Sequence, residues 1–133
     1  MTHQHYVRVY YEDTDAGGIV YYANYLKFLE RARTEWLREM GIEQDTLLEQ
    51  SLGFVVKRVE MDNHAPARFN QLLRIESKVA ELKRASLVFD QIIISPDEQC
   101  LVSAKIRVAC VDLAKMKPQA IPVSILEEFS SVI

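Results

Sequence analysis

The chain has little of what many specialised proteins are built on. Two cysteines among 133 residues are too few for a disulfide framework. Cys100 and Cys110 stand ten residues apart on one strand-patterned segment, a span of roughly 33 Å. A disulfide needs Cα atoms about 4.4–6.8 Å apart, so both are expected to be small, buried, unpaired thiols. Histidine is as sparse. His3, His5 and His64 show no metal-ligand spacing with each other or with cysteine, so neither a metal nor a cofactor is expected. Ser51, Ser86 and Ser103 lack a G-x-S-x-G setting, which removes that serine nucleophile. A net charge of −3 lacks the basic excess of a nucleic-acid binder. No apolar run reaches the length of a membrane span, and the opening MTHQHYVRVYY has no signal-peptide pattern. The expected compartment is the cytoplasm. Linkers, repeats and low-complexity tracts are absent, so residues 1–133 read as a single domain with room for one core.

What is present concentrates between Tyr11 and Met40. A carboxylate cluster, Glu12, Asp13 and Asp15, precedes the only adjacent glycine pair, Gly17 and Gly18, and then the one long helix-patterned segment. A carboxylate can attack an acyl carbon or activate a water. The free N–H groups of a first helical turn can hold an oxyanion. At helical spacing Tyr22, Tyr25, Leu26, Leu29, Ala32, Trp36, Leu37 and Met40 share one arc, roughly 140° wide and broader than a minimal surface-helix stripe. Gly41 stands where a left-handed C′ residue is expected. Arg33 falls inside the arc and calls for a carboxylate partner such as Glu30 or Glu60. Phe28 falls on the polar side, which predicts a second surface covering it.

The rest reads mostly as strands. Val7–Glu12 is a first strand feeding the loop, and residues 42–53 give a short second helix closed by Gly53. Phe54–His64 is a strand interrupted by Pro66, which has no ladder donor. Leu73–Ala80 alternates cleanly, Lys83-Arg84-Ala85 is a turn, and Leu87–Ser95 and Leu101–Val111 are strands about a Ser95–Glu98 turn. SILEEFSSVI closes the chain as a short helix. One early strand, one long helix and serial strands with tight connections predict an α+β domain with an antiparallel sheet curling around the helix.

The run D-T-D-A-G-G-I-V-Y-Y-A-N-Y at 13–25, followed by ERARTEWL at 30–37, resembles the hotdog-fold thioesterases of the 4-hydroxybenzoyl-CoA thioesterase family. Within it the likeness is to the Tol-Pal-associated acyl-CoA thioesterases, and FVVKRVEMDNHAPA, KRASLVFDQ and VACVDLAKMKP extend it along the chain. The resemblance implies a hotdog fold, a curved antiparallel sheet wrapped around one long central helix. It also implies dimers joined sheet edge to sheet edge, tetramers built from them, and an active site at the dimer interface. The implied substrate is an acyl thioester of coenzyme A or of an acyl carrier protein. Asp15 matches the catalytic aspartate, and Tyr22 falls where a backbone N–H polarises the thioester carbonyl. At Tyr22 many Tol-Pal-associated enzymes carry a histidine; the Tyr21-Tyr22 pair is closer to the 4-hydroxybenzoyl-CoA branch.

Each of these residues also has a plainer role open to it. Asp15 suits a turn or a cap, and Asp13 a supporting carboxylate. Gly17 and Gly18 serve a tight turn, or keep side chains away from a passing thioester. Asn24 caps the first turn or orients Asp15 in the substrate site, and capping is the expectation. Lys57, Arg58, Lys83, Arg84 and Ser86 are candidates for the phosphates of coenzyme A, against the alternative of solvated surface charge. The function expected is hydrolysis of acyl-CoA to free acid and coenzyme A, with Asp15 as nucleophile or general base. The alternative is a non-catalytic hotdog subunit that binds an acyl carrier protein or an envelope-associated partner. A dehydratase would need an acid or histidine pairing for an α-proton, and residues 12–40 hold no histidine.

Overall fold

The computed structural model describes residues 1–133. Strand β1 (His3–Arg8) leads through a 3₁₀ turn (Tyr11–Asp13) and a loop into helix α1 (Asn24–Glu39) and a short α2 (Gln44–Glu49). Strands β2 (Leu52–Asn63), β3 (Leu72–Leu82), β4 (Ser86–Ile94) and β5 (Cys100–Asp112) follow, then a two-residue β6 (Lys117–Pro118) and helix α3 (Val123–Ser131). The sheet is antiparallel throughout in the order β1-β3-β4-β5-β2, with β6 on β5. It therefore has two edges, β1 and the twelve-residue β2.

Register shifts at Val56/Arg58, Val79/Glu81 and Ile93/Ile94 put an irregularity into the β2–β5, β3–β4 and β4–β5 ladders. Such bulges bend and twist a strand, and here the sheet curls around α1. Leu73, Ile75, Val79, Phe89, Ile93, Val102 and Ile106 point inward onto Phe28, Leu29, Ala32 and Trp36 in one buried cluster. Each fully buried large side chain contributes about 1.5–3 kcal/mol, so this seam holds helix and sheet together.

Four expectations change. The first strand is His3–Arg8, not Val7–Glu12. Tyr11–Asp13 turns because the Asp13 carboxylate accepts from the Tyr10 N–H, an alternative to the strand ladder that Asp readily offers. The buried stripe of α1 is Tyr25, Phe28, Leu29, Ala32, Arg33, Trp36 and Leu37. Phe28 is fully buried within the chain itself and needs no second surface, whereas Tyr22 and Leu26 are exposed. The phase of the helix is set by the curl of the sheet, which single-residue hydrophobicity does not report. Arg33 is buried as expected, but its Nη1 donates to the neutral Gln91 Oε1 at 2.9 Å and no carboxylate pairs with it. Gln91 Nε2 in turn donates to Leu29 O and to Ser77 Oγ, so both ends of the buried amide are partnered. Finally, Cys100 is exposed at the start of β5, while Cys110 is buried.

Candidate active site

The loop from Thr14 to Val20 is a small hairpin. Thr14 and Val20 form an antiparallel bridge, and Asp15 N donates to Ile19 O at 2.9 Å. Gly18 makes the reversal at φ +75°, a conformation that L side chains rarely adopt, and its N–H donates to Asp15 O. Gly17 has another reason to be glycine. Its N–H donates to Asp15 Oδ1 at 2.9 Å, and a Cβ there would stand 3.3 Å from the same oxygen. The Asp15 carboxylate is exposed, and its Oδ2 has no partner in the chain.

Three contacts fix this hairpin to the rest of the molecule. Val20 N donates to Ala67 O at 2.9 Å, Phe69 N donates to Gly18 O at 3.1 Å, and Ile19 bridges Arg68. Ala67 N donates to the Tyr25 hydroxyl at 3.0 Å. The Ala67 residue thus ties the first turn of α1 to the loop that carries Asp15. Burial pushes the Tyr25 phenol up, opposed by the Ala67 N–H, so the ring stays neutral. Tyr11 packs edge-to-face on Phe69 across the same junction, centroids 5.8 Å apart. The sequence gives no spacing signal for Tyr25, Ala67 or Phe69 in this role, since they meet only through the tertiary fold.

Asp13 is structural. Its carboxylate holds Tyr10, and its carbonyl accepts from Tyr21 N at 3.0 Å and from Asn24 Nδ2 at 2.9 Å. Asn24 is consequently not a cap. It is the first helical residue, its amide is spent on Asp13, and the N-cap is Ala23 with no side-chain bond. The first turn closes with three-residue bonds from Asn24 to Tyr21, Tyr25 to Tyr22 and Leu26 to Ala23. This leaves the N–H groups of Tyr22 and Ala23 without a partner at the positive end of a sixteen-residue helix. An exposed carboxylate and two free donors at a helix start can, respectively, attack or deprotonate and hold a developing oxyanion.

The cationic candidates lie elsewhere. Lys57 is exposed at the β2 bulge, and Arg58 pairs with Glu60 on the outer sheet face, its strand partner being Arg107. Lys83 and Arg84 are exposed in the β3–β4 turn; Lys83 pairs with Glu81, and Ser86 opens β4 half-buried. Ser86 stands opposite Ala109, and Ala109 opposite Val55, so this turn lies at the Leu52 end of β2. The Asp15 loop docks beyond the Asn63 end. One chain keeps the two groups at opposite ends of its sheet.

Residues 9–129 match the family described as the thioesterase-like superfamily. The chain is 51% identical to the acyl-CoA thioesterase YbgC of Haemophilus influenzae, over 92% of this chain and 90% of that one. It is 47% identical to the acyl-CoA thioester hydrolase YbgC of Escherichia coli O6:H1, over 92% of each. Among solved structures, a probable thioesterase of Bartonella henselae superposes with a TM-score of 0.81 at 36% identity, covering 91% of this chain and 98% of that one. A carboxylate loop folded onto a helix start inside a curled sheet, and a family match spanning nearly all of the chain, lead to one conclusion: this is a hotdog-fold member of the thioesterase-like superfamily.

Proposed function

We propose that the chain hydrolyses acyl-CoA thioesters, with Asp15 as the catalytic carboxylate and the N–H groups of Tyr22 and Ala23 as the oxyanion site. The observation that carries this reading is their shared loop-to-helix unit: an exposed carboxylate held by Gly17, then two unpartnered donors at the start of α1. The close YbgC relatives, described as acyl-CoA thioesterases, supply the substrate class. The thioester carbonyl oxygen accepts from the free N–H groups, and negative charge gathers there as the carbon becomes tetrahedral. Asp15 either deprotonates the attacking water or attacks the carbon itself to give an anhydride that water then opens. In both routes the C–S bond breaks and coenzyme A leaves as its thiolate, which needs little acid help because thiols ionise near pH 8.5. Gly18 provides the turn, and Gly17 the clearance for the carboxylate. Lys83, Arg84 and Ser86 remain candidates for the coenzyme A phosphates, with Lys57 as a further one near the middle of β2.

The active unit is a homodimer or a homotetramer built as a dimer of dimers. The free edge of β2 exposes Val56 and Val59, each more than a third exposed, and an unpaired edge strand of this length is a template for another copy. Two-fold pairing of β2 with β2 is antiparallel and sets the Leu52 end of one chain beside the Asn63 end of the other. Lys83 and Arg84 of one chain then approach the loop of its partner, which a single chain does not allow.

The test is hydrolysis of a panel from acetyl-CoA to palmitoyl-CoA. Asp15→Asn should fold and assemble normally yet lose about 10²–10⁴-fold in kcat. Asp13→Asn should keep most activity and lose stability instead, since its carboxylate caps the Tyr11 turn. If Asp13→Asn is the dead variant, the assignment of Asp15 is wrong. If the parent hydrolyses none of the panel, the subunit binds an acyl carrier protein without turnover.

A further inference from the structure

We propose that Tyr25 is a positioning residue for the Asp15 carboxylate: its hydroxyl, acting through Ala67, fixes the carboxylate loop at a set place over the start of α1. The role rests on the thioesterase reading given above and lies wholly within one chain.

The loop is mounted at two points. The first is its base, where Asp13 O accepts from Tyr21 N and from Asn24 Nδ2. The second is its far end, where Gly18 O accepts from Phe69 N and Val20 N donates to Ala67 O. Asp15 lies between the two. The bonds Asp15 N to Ile19 O and Gly18 N to Asp15 O are internal to the hairpin and do not locate it on the helix. Held at the base alone, the hairpin is free to swing about Asp13. The second mount removes that freedom, provided that the segment bearing Ala67 and Phe69 is itself fixed relative to α1.

Tyr25 supplies that fixing. His64 N and Ala65 N both donate to Leu101 O on β5, and Asn70 N donates to Val9 O, so the segment is tied to the sheet on either side of Ala67. Its one hydrogen bond to α1 runs from Ala67 N to the Tyr25 hydroxyl at 3.0 Å. The Ala65-Pro66-Ala67 run that interrupts the strand pattern thus has a use. Pro66 takes the chain out of the sheet, and Ala67 then bonds the helix with its N–H and the hairpin with its carbonyl.

Tyr25 also serves the other half of the site. Its backbone N donates to Tyr22 O at 3.3 Å, closing the turn that presents the free N–H groups of Tyr22 and Ala23. One residue therefore holds the donors with its backbone and the carboxylate loop with its side chain. The phenol is 3% exposed and lies edge-on to Phe28, centroids 6.3 Å apart, which holds the hydroxyl oxygen in place. Ala67 is fully buried, so without that oxygen its N–H is a donor lacking a partner in the core.

Tyr25→Phe keeps the ring and deletes the tie. It should fold with a lowered urea midpoint and lose about ten- to a hundredfold in kcat, with KM changed by less than about twofold. Ile106→Val, a buried change on β5 away from the loop, is destabilised without loss of the tie and should keep the parent kcat. A double-variant cycle shows what Tyr25 acts through. Added to Asp15→Asn, Tyr25→Phe should alter the residual rate by less than about twofold, because the group it positions is already gone. The pH–rate profile of Tyr25→Phe should keep the parent shape at lower height. In the parent itself, the Ala67 amide should exchange with deuterium as slowly as the amides of the inner strands. A parent-like kcat in Tyr25→Phe, a matching loss in Ile106→Val, or an equal loss with and without the Asp15 carboxylate overturns the positioning role. So does a missing limb in the pH profile, which would make the phenol a proton-transfer group, or a fast-exchanging Ala67 amide. Each of these leaves the thioesterase reading standing. A parent that hydrolyses no acyl-CoA overturns that reading, and this role with it.

Discussion

At the scale of single residues, the two adjacent glycines do different things, and substitution separates them. Gly18 has open space around it but a left-handed backbone, so Gly18→Ala strains the turn at a cost of about 1 kcal/mol or more. Gly17 has an ordinary backbone, but a Cβ would press on the Asp15 carboxylate at 3.3 Å. If Asp15 acts as proposed, Gly17→Ala should unfold like the parent while kcat falls about tenfold with KM little changed, because displacing such a carboxylate by less than 1 Å is already costly. A thermal melt beside steady-state kinetics checks the split; equal behaviour of the two variants would make both merely turn residues. The sequence announced the pair, the carboxylate and the helix start, because these are local features with local signatures. It did not distinguish the two glycines, since the contact that does so depends on how the hairpin folds back.

At the scale of elements, α1 shows both what patterning carries and where it stops. Its existence, length and C-terminal stop at Gly41 were legible, because period and glycine punctuation are properties of the segment alone. Its phase departs from the hydrophobic pattern on one flank, with Tyr22 and Leu26 exposed and Phe28 buried, because their environment is set by strands distant in sequence. Arg33 was legible as buried, but its partner was not, since Gln91 lies on a strand 58 residues away. That identity changes the energetics. Burial lowers the pKa of Arg33, offset in part by the charge of Glu30, and the bond it makes is to a neutral amide. Replacing Arg33 by Met removes a desolvated cation and leaves only Gln91 Oε1 lacking a donor, a cost of about 1–3 kcal/mol. Gln91→Leu keeps the cation but takes away its acceptor, and with it the donor to Leu29 O and Ser77 Oγ, for about 3–5 kcal/mol. Urea midpoints should rank Gln91→Leu below Arg33→Met, with the double variant less damaging than the sum. The reverse order would mean that Gln91 is passive.

At the scale of the whole molecule, the expected curled sheet around one helix is what the fold contains, while its open flank is what the sequence leaves unmarked. A strand that ends a sheet and one that sits inside it carry the same alternation, so nothing in residues 52–63 distinguishes an edge. The structure puts β2 there, long and with valines exposed. Light scattering at micromolar concentration should report a dimer or a larger even assembly; a stable monomer would remove the proposed shared site. At the other flank lies the single tryptophan of the chain. Trp36 stacks on the His3 ring of β1, centroids 5.6 Å apart and planes 8° from parallel, with Phe89 edge-on at 6.0 Å. The indole thus looks outward to the far edge strand and inward to the core from one place. Its emission is a built-in optical gauge of whether that strand is seated, readable without any label.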